Sequence, residues 1–204
     1  MHILIIGAAG MIGRKLTSAL LKSGQVGGKA ISKFTLTDVV EPAKIAFNGD
    51  VTTVVSDVSL PGEAAKLIAS RPDLIFHLAA IVSGEAESDF DKGYRINMDG
   101  MRFLLEAIRQ EGLRAPYLPR LVFTSSIAVF GAPFPEAIGD EFFNTPLTSY
   151  GTQKAICELL LNDYSRKGFV DGVGIRLPTI TIRPGKPNAA ASGFFSNILR
   201  EPLV

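Results

Sequence analysis

Short apolar runs alternate with segments of helical spacing from the start of the chain. Residues 2–6, HILII, are a β-branched and Leu run that ends at Gly7. Residues 11–22 follow with Ile12, Leu16, Ala19 and Leu20 at helical spacing. Five more strand-like runs cover residues 34–39, 51–55, 74–78, 120–124 and 172–177. Between them, one helix opens at Pro61, where the missing N–H costs nothing, and closes at Arg71-Pro72. Longer helices are predicted over residues 90–111 and 149–167. Residues 24–28, with Gly24, Gly27 and Gly28, read as a loop, as do the Pro- and Gly-rich residues 131–146. Strands buried on both faces read as continuous apolar runs. Their alternation with helices predicts an α/β fold, a doubly wound parallel sheet with helices on both sides. From residue 183 the pattern turns to loop chemistry with one short apolar helix over residues 193–199. The abrupt stop at Pro202-Leu203-Val204 is that expected of the front part of a longer protein.

Composition narrows the picture. Of the 204 residues, 47% are hydrophobic and 20% charged, too apolar for intrinsic disorder. With 21 basic and 20 acidic residues, no charge excess favours nucleic acid or an anionic membrane. Apolar runs are broken by Gly, Pro or charge before they reach bilayer length. The N-terminus lacks a basic region followed by a cleavable apolar stretch, so a cytoplasmic location is expected. The single Cys157 excludes an intramolecular disulfide and a cysteine zinc cluster. No metal site is expected, since His77 and His2 are the only histidines and His77 reads as a residue ordering the strand end.

The loop after the first strand carries the first candidate chemistry. Gly7-Ala8-Ala9-Gly10-Met11-Ile12-Gly13 joins a strand to a helix. A dinucleotide pyrophosphate needs one glycine for the tight turn, a second for close backbone approach and a third for packing helix on strand. The helix N-terminus adds free N–H groups and partial positive charge. Asp38, ending the second strand, can bond the adenosine ribose hydroxyls and would repel a 2′-phosphate, which favours NAD over NADP. Asp57, after the third strand, suits either an adenine contact or a helix cap.

Tyr150 and Lys154 are four apart in a predicted helix and share one face. A nearby ammonium favours the phenolate, and a tyrosine so tuned can take a proton from an alcohol as hydride leaves the same carbon. Lys154 can also hold the nicotinamide ribose. Ser125 and Ser126 end the strand VFTSS, where ligands of parallel sheets bind, and either hydroxyl can bond a reacting oxygen. Local satisfaction of strand-end backbone is the competing role of such hydroxyls.

GAAGMIG, Asp57, HLAA at residues 77–80, Asn97 in YRINMDG, SSIAVFG and YGTQK, in this order, resemble the extended short-chain dehydrogenase/reductase family from residue 2 to about residue 183. The resemblance implies a catalytic triad of Ser126, Tyr150 and Lys154. It implies NAD contacts by Gly7, Gly10, Met11, Ile12, Gly13, Asp38, Asp57, Val58, Leu78, Ala79, Ala80, Asn97, Tyr150 and Lys154, with Asn97 also supporting the active site. Residues 1–176 are then the NAD-binding and catalytic domain, and residues 177–204 the start of a substrate-binding part. A small-molecule substrate would meet Ser83, Ser125, Ser126, Tyr150, Thr179 and Arg183, the last as a carboxylate clamp.

Members acting on nucleotide sugars usually carry Asn and Tyr-Gly-Pro after the sixth strand. Here residues 176–185 read RLPTITIRPG, without that asparagine. Residues 176–203 and 81–100 resemble instead members that oxidise a small sugar acid such as D-erythronate with NAD. A nucleotide-sugar epimerase or dehydratase is the alternative. A dehydratase would normally place an acidic residue beside the triad serine, whereas Ile127 and Ala128 follow Ser126. A non-catalytic NAD-binding regulator is the third reading, opposed by the intact triad. The resemblance further implies a homodimer through the two long helices. Met98, Met101, Leu104, Leu105 and Ile108 on one, and Ile156, Leu159, Leu160 and Leu161 on the other, exceed a single apolar stripe. Cys157 reads as a buried structural thiol. Glu85, Glu87, Asp89 and Asp91 read as the start of the first of these helices.

Overall fold

The computed structural model describes residues 1–181 and 193–200. Its strands are β1 (His2–Ile6), β2 (Gln25–Val26), β3 (Lys29–Ala30), β4 (Lys33–Asp38), β5 (Asp50–Val55), β6 (Leu74–His77), β7 (Arg120–Ser126) and β8 (Asp171–Leu177). Its α-helices are α1 (Met11–Ser23), α2 (Glu63–Ile68), α3 (Ser83–Ser88), α4 (Phe90–Gly93), α5 (Gly100–Arg114), α6 (Ser149–Arg166) and α7 (Gly193–Arg200). Six strands form one sheet in the order β5-β4-β1-β6-β7-β8, and every pairing in it is parallel. The order reverses between β1 and β6. A cleft therefore opens there at the carboxyl ends, where open α/β sheets bind ligands.

One face of the sheet is covered by α2, α5 and α6. Their Leu67, Ile68, Met101, Leu104, Leu105, Ile108, Cys157 and Leu161 pack on Leu4, Ile6, Ile75, Leu121 and Phe123. The other face holds Ile3, Ile5, Phe34 and Leu36 with Leu20 and Leu16 of α1. Burial fades toward the edges. All five residues of β1 are buried, whereas Val51 and Val55 of β5 and Val173 and Ile175 of β8 are exposed. The expectation of strands buried on both faces thus fails at β5 and β8, which among the described residues are the two edge strands of the sheet.

Three more departures have local causes. The expected loop at residues 24–28 is instead part of a small hairpin over residues 25–30, β2 with β3, turned by Gly27 and Gly28, both at positive φ. That conformation suits a tight hairpin turn and favours glycine. The helix expected from Pro61 starts at Glu63, because Gly62 before it is left-handed, with φ 85°. Of the acidic segment expected to open the long helix, Glu85 and Glu87 fall in the separate α3, whereas Asp89 caps α4 by accepting from the Lys92 N–H and Asp91 lies in its first turn. The long helix, α4 to α5, is interrupted by a π-helical turn at Tyr94–Asp99, a feature frequent at functional sites.

Among the described residues no helix is long and apolar enough to cross a membrane. No group of three or more His, Cys, Asp or Glu side chains there is placed to hold a metal ion.

Candidate active site

The loop from β1 to α1 is shaped by three glycines with three different reasons. Gly7 has φ 90°, and a Cβ there would lie 2.7 Å from the Ala79 nitrogen. Its lack of a side chain lets the loop lie against residues 78–80, whose Leu78 N–H donates to Ile6. Gly13 is buried, and a Cβ would collide with the Gly7 oxygen and the Ala8 backbone. Gly10 differs: it is exposed, and the one atom near its Cβ position is the Gly7 oxygen at 3.3 Å. It is the N-cap of α1 and no side chain caps it, so the first-turn N–H groups of Met11, Ile12 and Gly13 lack an intrahelical partner. Open space in front of free N–H groups at a helix N-terminus fits a dinucleotide pyrophosphate.

Asp38 stands beside this loop. Its Oδ2 accepts from the Ala9 N–H at 2.9 Å and its Oδ1 from the Val39 N–H at 2.8 Å. Asp57 does not cap a helix. Its Oδ1 accepts from the N–H and hydroxyl of Ser59, and its Oδ2 from Arg95 at 3.1 Å. Burial opposes its charge, but Ser59 and Arg95 outweigh it and hold the carboxyl below its ordinary range. The Val58 side chain is buried in the core.

Across the cleft, Thr148 caps α6 by accepting from the Gly151 N–H. Tyr150 stands half-buried in the first turn. Lys154, one turn on, is 2% exposed and reaches the end of β7. Its Nζ donates to the Thr124 carbonyl at 2.8 Å and lies 4.7 Å from the Phe123 ring centre and 5.7 Å from that of Tyr150. Burial pushes its pKa down to about 8. The Ser126 hydroxyl accepts from the Ala128 N–H at 3.1 Å, a bond that leaves its own proton uncommitted. Ser126, Tyr150 and Lys154 thus lie at one strand end and on the helix that packs against it.

Asn97 is buried within the π-helical turn. Its Oδ1 accepts from the Ile81 N–H at 2.9 Å, and its Nδ2 donates to Gln153 at 2.8 Å. It therefore holds the loop after β6 to α6, and the Cys157 thiol donates to its carbonyl. Burial raises that thiol to about 11, which keeps it protonated. His77 is also buried, and its Nδ1 has no partner among the described residues. Burial, with Lys154 nearby, lowers its pKa to about 3, so the ring is neutral. The backbone ordering expected of this imidazole is not made by Nδ1; the His77 carbonyl accepts from the Thr124 hydroxyl instead.

Ser125 points away from Ser126, as strand alternation requires. It is 2% exposed, and its hydroxyl donates to Glu158 of α6 at 2.5 Å. It is thereby withdrawn from the substrate set expected from the sequence. Ser83 opens α3. That helix reaches the start of α6, where Glu87 accepts from the Ser149 N–H. Thr179 follows β8 and is half-buried. Arg183 lies outside the described residues.

The sequence reading missed Gln153, Arg95 and Glu158. Glu158 follows Tyr150 and Lys154 at intervals of eight and four, a spacing that signals a shared face. Gln153 carries no such signal, because its partner Asn97 is 56 positions away.

Relatives of known name match the whole chain. It is 50% identical over 207 residues to a D-erythronate dehydrogenase of Cupriavidus necator, covering 100% of this chain and 62% of the relative. A solved structure described as a nucleoside-diphosphate-sugar epimerase from Agrobacterium tumefaciens is 72% identical, with a TM-score of 0.95, over 100% of this chain and 60% of that one. The structure of UDP-glucose 4-epimerase from Brucella ovis in complex with NAD is 27% identical, with a TM-score of 0.70, over 86% of this chain and 51% of that one. The chain thus spans less than two thirds of the length of these relatives. The family model described as the NAD dependent epimerase/dehydratase family matches residues 3–201. With a Gly loop at the switch point and Lys154 bonded to the serine-bearing end of β7, the chain belongs to the NAD dependent epimerase/dehydratase family.

Proposed function

We propose that the protein oxidises a secondary hydroxyl of a small sugar acid, such as D-erythronate, with NAD. The observation that carries this reading is 50% identity over the whole chain to a D-erythronate dehydrogenase. NAD, when bound, supplies the hydride acceptor. In this reading Gly7, Gly10 and Gly13 admit the pyrophosphate to the free N–H groups of α1, Asp38 takes the ribose hydroxyls, and Leu78, Ala79 and Ala80 border the nicotinamide side. Asp57 and Val58 stand at the adenine side.

Tyr150 is the general base. It takes the hydroxyl proton as hydride leaves the same carbon, so the alcohol becomes a carbonyl. Lys154 supplies positive charge near the phenol, which favours the phenolate, and orients the nicotinamide ribose. Ser126 donates its free proton to the substrate oxygen. Thr179 and Arg183 belong to the substrate side, with residues 177–204 beginning the part that completes it. A homodimer and a cytoplasmic location belong to the same reading. Much of the apolar surplus offered for the dimer is spent within the chain: Met101, Leu104, Leu105, Ile108 and Leu161 are buried, leaving Met98, Ile156 and Leu160 half-buried and Leu159 at 67% exposure.

The 72% identity to a structure described as a nucleoside-diphosphate-sugar epimerase favours a second reading. Full-length protein mixed with NAD and D-erythronate decides between them. Net NADH absorbance is the expected result. No net NADH with D-erythronate or related hydroxy acids, together with interconversion of a nucleotide sugar, would establish the epimerase.

A further inference from the structure

The Glu158 carboxylate, outside the set Ser126, Tyr150 and Lys154, gathers the elements that carry them. It accepts from the Ser125 hydroxyl on β7, from Asn144 Nδ2 at 3.0 Å, and from Arg176 of β8 through Nε at 2.9 Å and Nη2 at 2.8 Å. Arg176 Nη2 also donates to Asn144 Oδ1 at 3.0 Å, and its guanidinium stacks 4.7 Å from the Phe130 ring centre. The Glu158 side chain is 15% exposed, so these bonds form largely away from water, where fully satisfied networks rigidify what they join. Burial opposes its charge, and the bonds from Arg176, Ser125 and Asn144 outweigh it, holding the carboxyl below its ordinary range.

Two of the partners matter for the reaction. Ser125 precedes Ser126 on β7, so fixing its side chain fixes the strand end from which Ser126 projects. Asn144 lies on the returning leg of the segment between β7 and α6. That leg is held at its base by the Thr145 N–H bonded to the Val129 carbonyl. It then leads through the Thr148 cap into the turn that carries Tyr150. We propose that Glu158 is a positioning residue which, through Ser125 and Asn144, sets the distance between the Ser126 and Tyr150 hydroxyls. It touches neither cofactor nor substrate. This rests on the oxidoreductase reading for its kinetic consequence but not for the tether itself.

The test uses full-length protein carrying Glu158→Gln, which removes the charge but keeps the shape, and Ser125→Ala, which deletes one bond of the cluster. Hydrogen exchange reports the tether without any substrate. Amides of residues 126–130 and 142–149 should exchange faster in Glu158→Gln, while those of β1 and the Gly loop stay unchanged. With the substrate that wild type oxidises, kcat should fall about 10- to 100-fold, the scale of a small misplacement of reacting groups, with NADH affinity unchanged. Ser125→Ala should lower kcat by less, and the double variant should be no worse than Glu158→Gln. A folded Glu158→Gln with wild-type exchange in both segments and wild-type kcat overturns the proposal. So does a loss of melting temperature and NADH affinity in step with kcat, which marks a merely structural residue. If wild type oxidises no hydroxy acid, the oxidoreductase reading fails while the exchange pattern still judges the tether.

Discussion

At the loop between β1 and α1, missing Cβ atoms decide what fits; at the end of β7, side chains from distant parts of the chain decide it. Gly7, Gly10 and Gly13 do their work within seven residues of sequence. Lys154 reaches Thr124 across 30 positions, Asn97 reaches Gln153 across 56 and Glu158 reaches Ser125 across 33. A backbone-built site tolerates little change in residue size but needs few partners. A site built from side chains stays ordered only while its partners hold. The two halves should therefore fail in different ways when broken.

The largest effect is expected at Tyr150. Tyr150→Phe removes only the oxygen, so fold and NAD binding should survive while kcat falls about 10²–10⁴-fold. Stopped-flow turnover beside an NADH titration checks this, and near-normal turnover would end the general-base assignment.

On the other side of the cleft, the glycines should separate from one another. Gly10→Val sets its Cβ 3.3 Å from one atom, the Gly7 oxygen, and replaces a favoured N-cap residue at a cost of about 1 kcal/mol, so the protein should still fold, with a slightly lowered melting temperature, yet lose NAD affinity. Gly13→Val pushes against the Gly7 and Ala8 backbone and should cost stability first, on the overpacking scale of about 1–3 kcal/mol or more. Calorimetry beside an NAD titration tells the two apart. Equal affinity in wild type and folded Gly10→Val would mean that the loop does not hold the pyrophosphate.

Lys154→Met should trade function for stability. Among the described residues the buried ammonium has Thr124 as its hydrogen-bond partner, and its pKa is pushed down to about 8 by burial. Its proton is bound more weakly folded than unfolded, so the charged form destabilises the fold. Removing it should raise stability at pH 7 by about 1–3 kcal/mol while cofactor affinity and kcat both fall. The wild type sheds this proton above pH 8 in the folded state and near its ordinary value of 10.5 unfolded. Wild-type stability should therefore rise relative to Lys154→Met across that window. Denaturant melts of both proteins from pH 7 to pH 10 measure the gap, and a constant gap would contradict a depressed Lys154.

The alternation of strands and helices, the Gly loop and the pairing of Tyr150 with Lys154 were legible because each rests on local signals: a continuous apolar β1, a glycine pattern and helical spacing. The hairpin of β2 and β3 was written in Gly27-Gly28, yet the short flanking strands have too little apolar pattern to announce themselves. The π-helical turn at Tyr94–Asp99 left no trace in spacing, since its purpose, bringing Asn97 to Ile81 and Gln153, depends on tertiary contacts. Ser125 and Ser126 could not be told apart by residue type. Strand alternation, counted from buried Phe123, assigns Ser125 to the helix-covered face and Ser126 to the other.

Asp38 blurs the contrast between the two halves, because it is a side chain serving the backbone-built one. Its carboxylate is expected to do two things: accept from the Ala9 N–H, which holds the Gly loop in place, and repel a 2′-phosphate. Asp38→Asn keeps an oxygen that can accept from Ala9 but removes the charge. Asp38→Ala removes both. If repulsion sets cofactor choice, wild type should favour NAD over NADP by at least about tenfold in kcat/KM, equivalent to roughly 1.4 kcal/mol. Asp38→Asn should then gain NADP activity while keeping most of its NAD activity. If the Ala9 bond matters as well, Asp38→Ala should lose affinity for both cofactors, since the loop that receives their shared pyrophosphate keeps its ties from Gly7 and Ala8 to the Thr37 carbonyl of β4 but loses the one at Ala9. Equal use of NAD and NADP by the wild type would remove Asp38 from the ribose. Identical profiles for the Asn and Ala variants would reduce its part to charge alone.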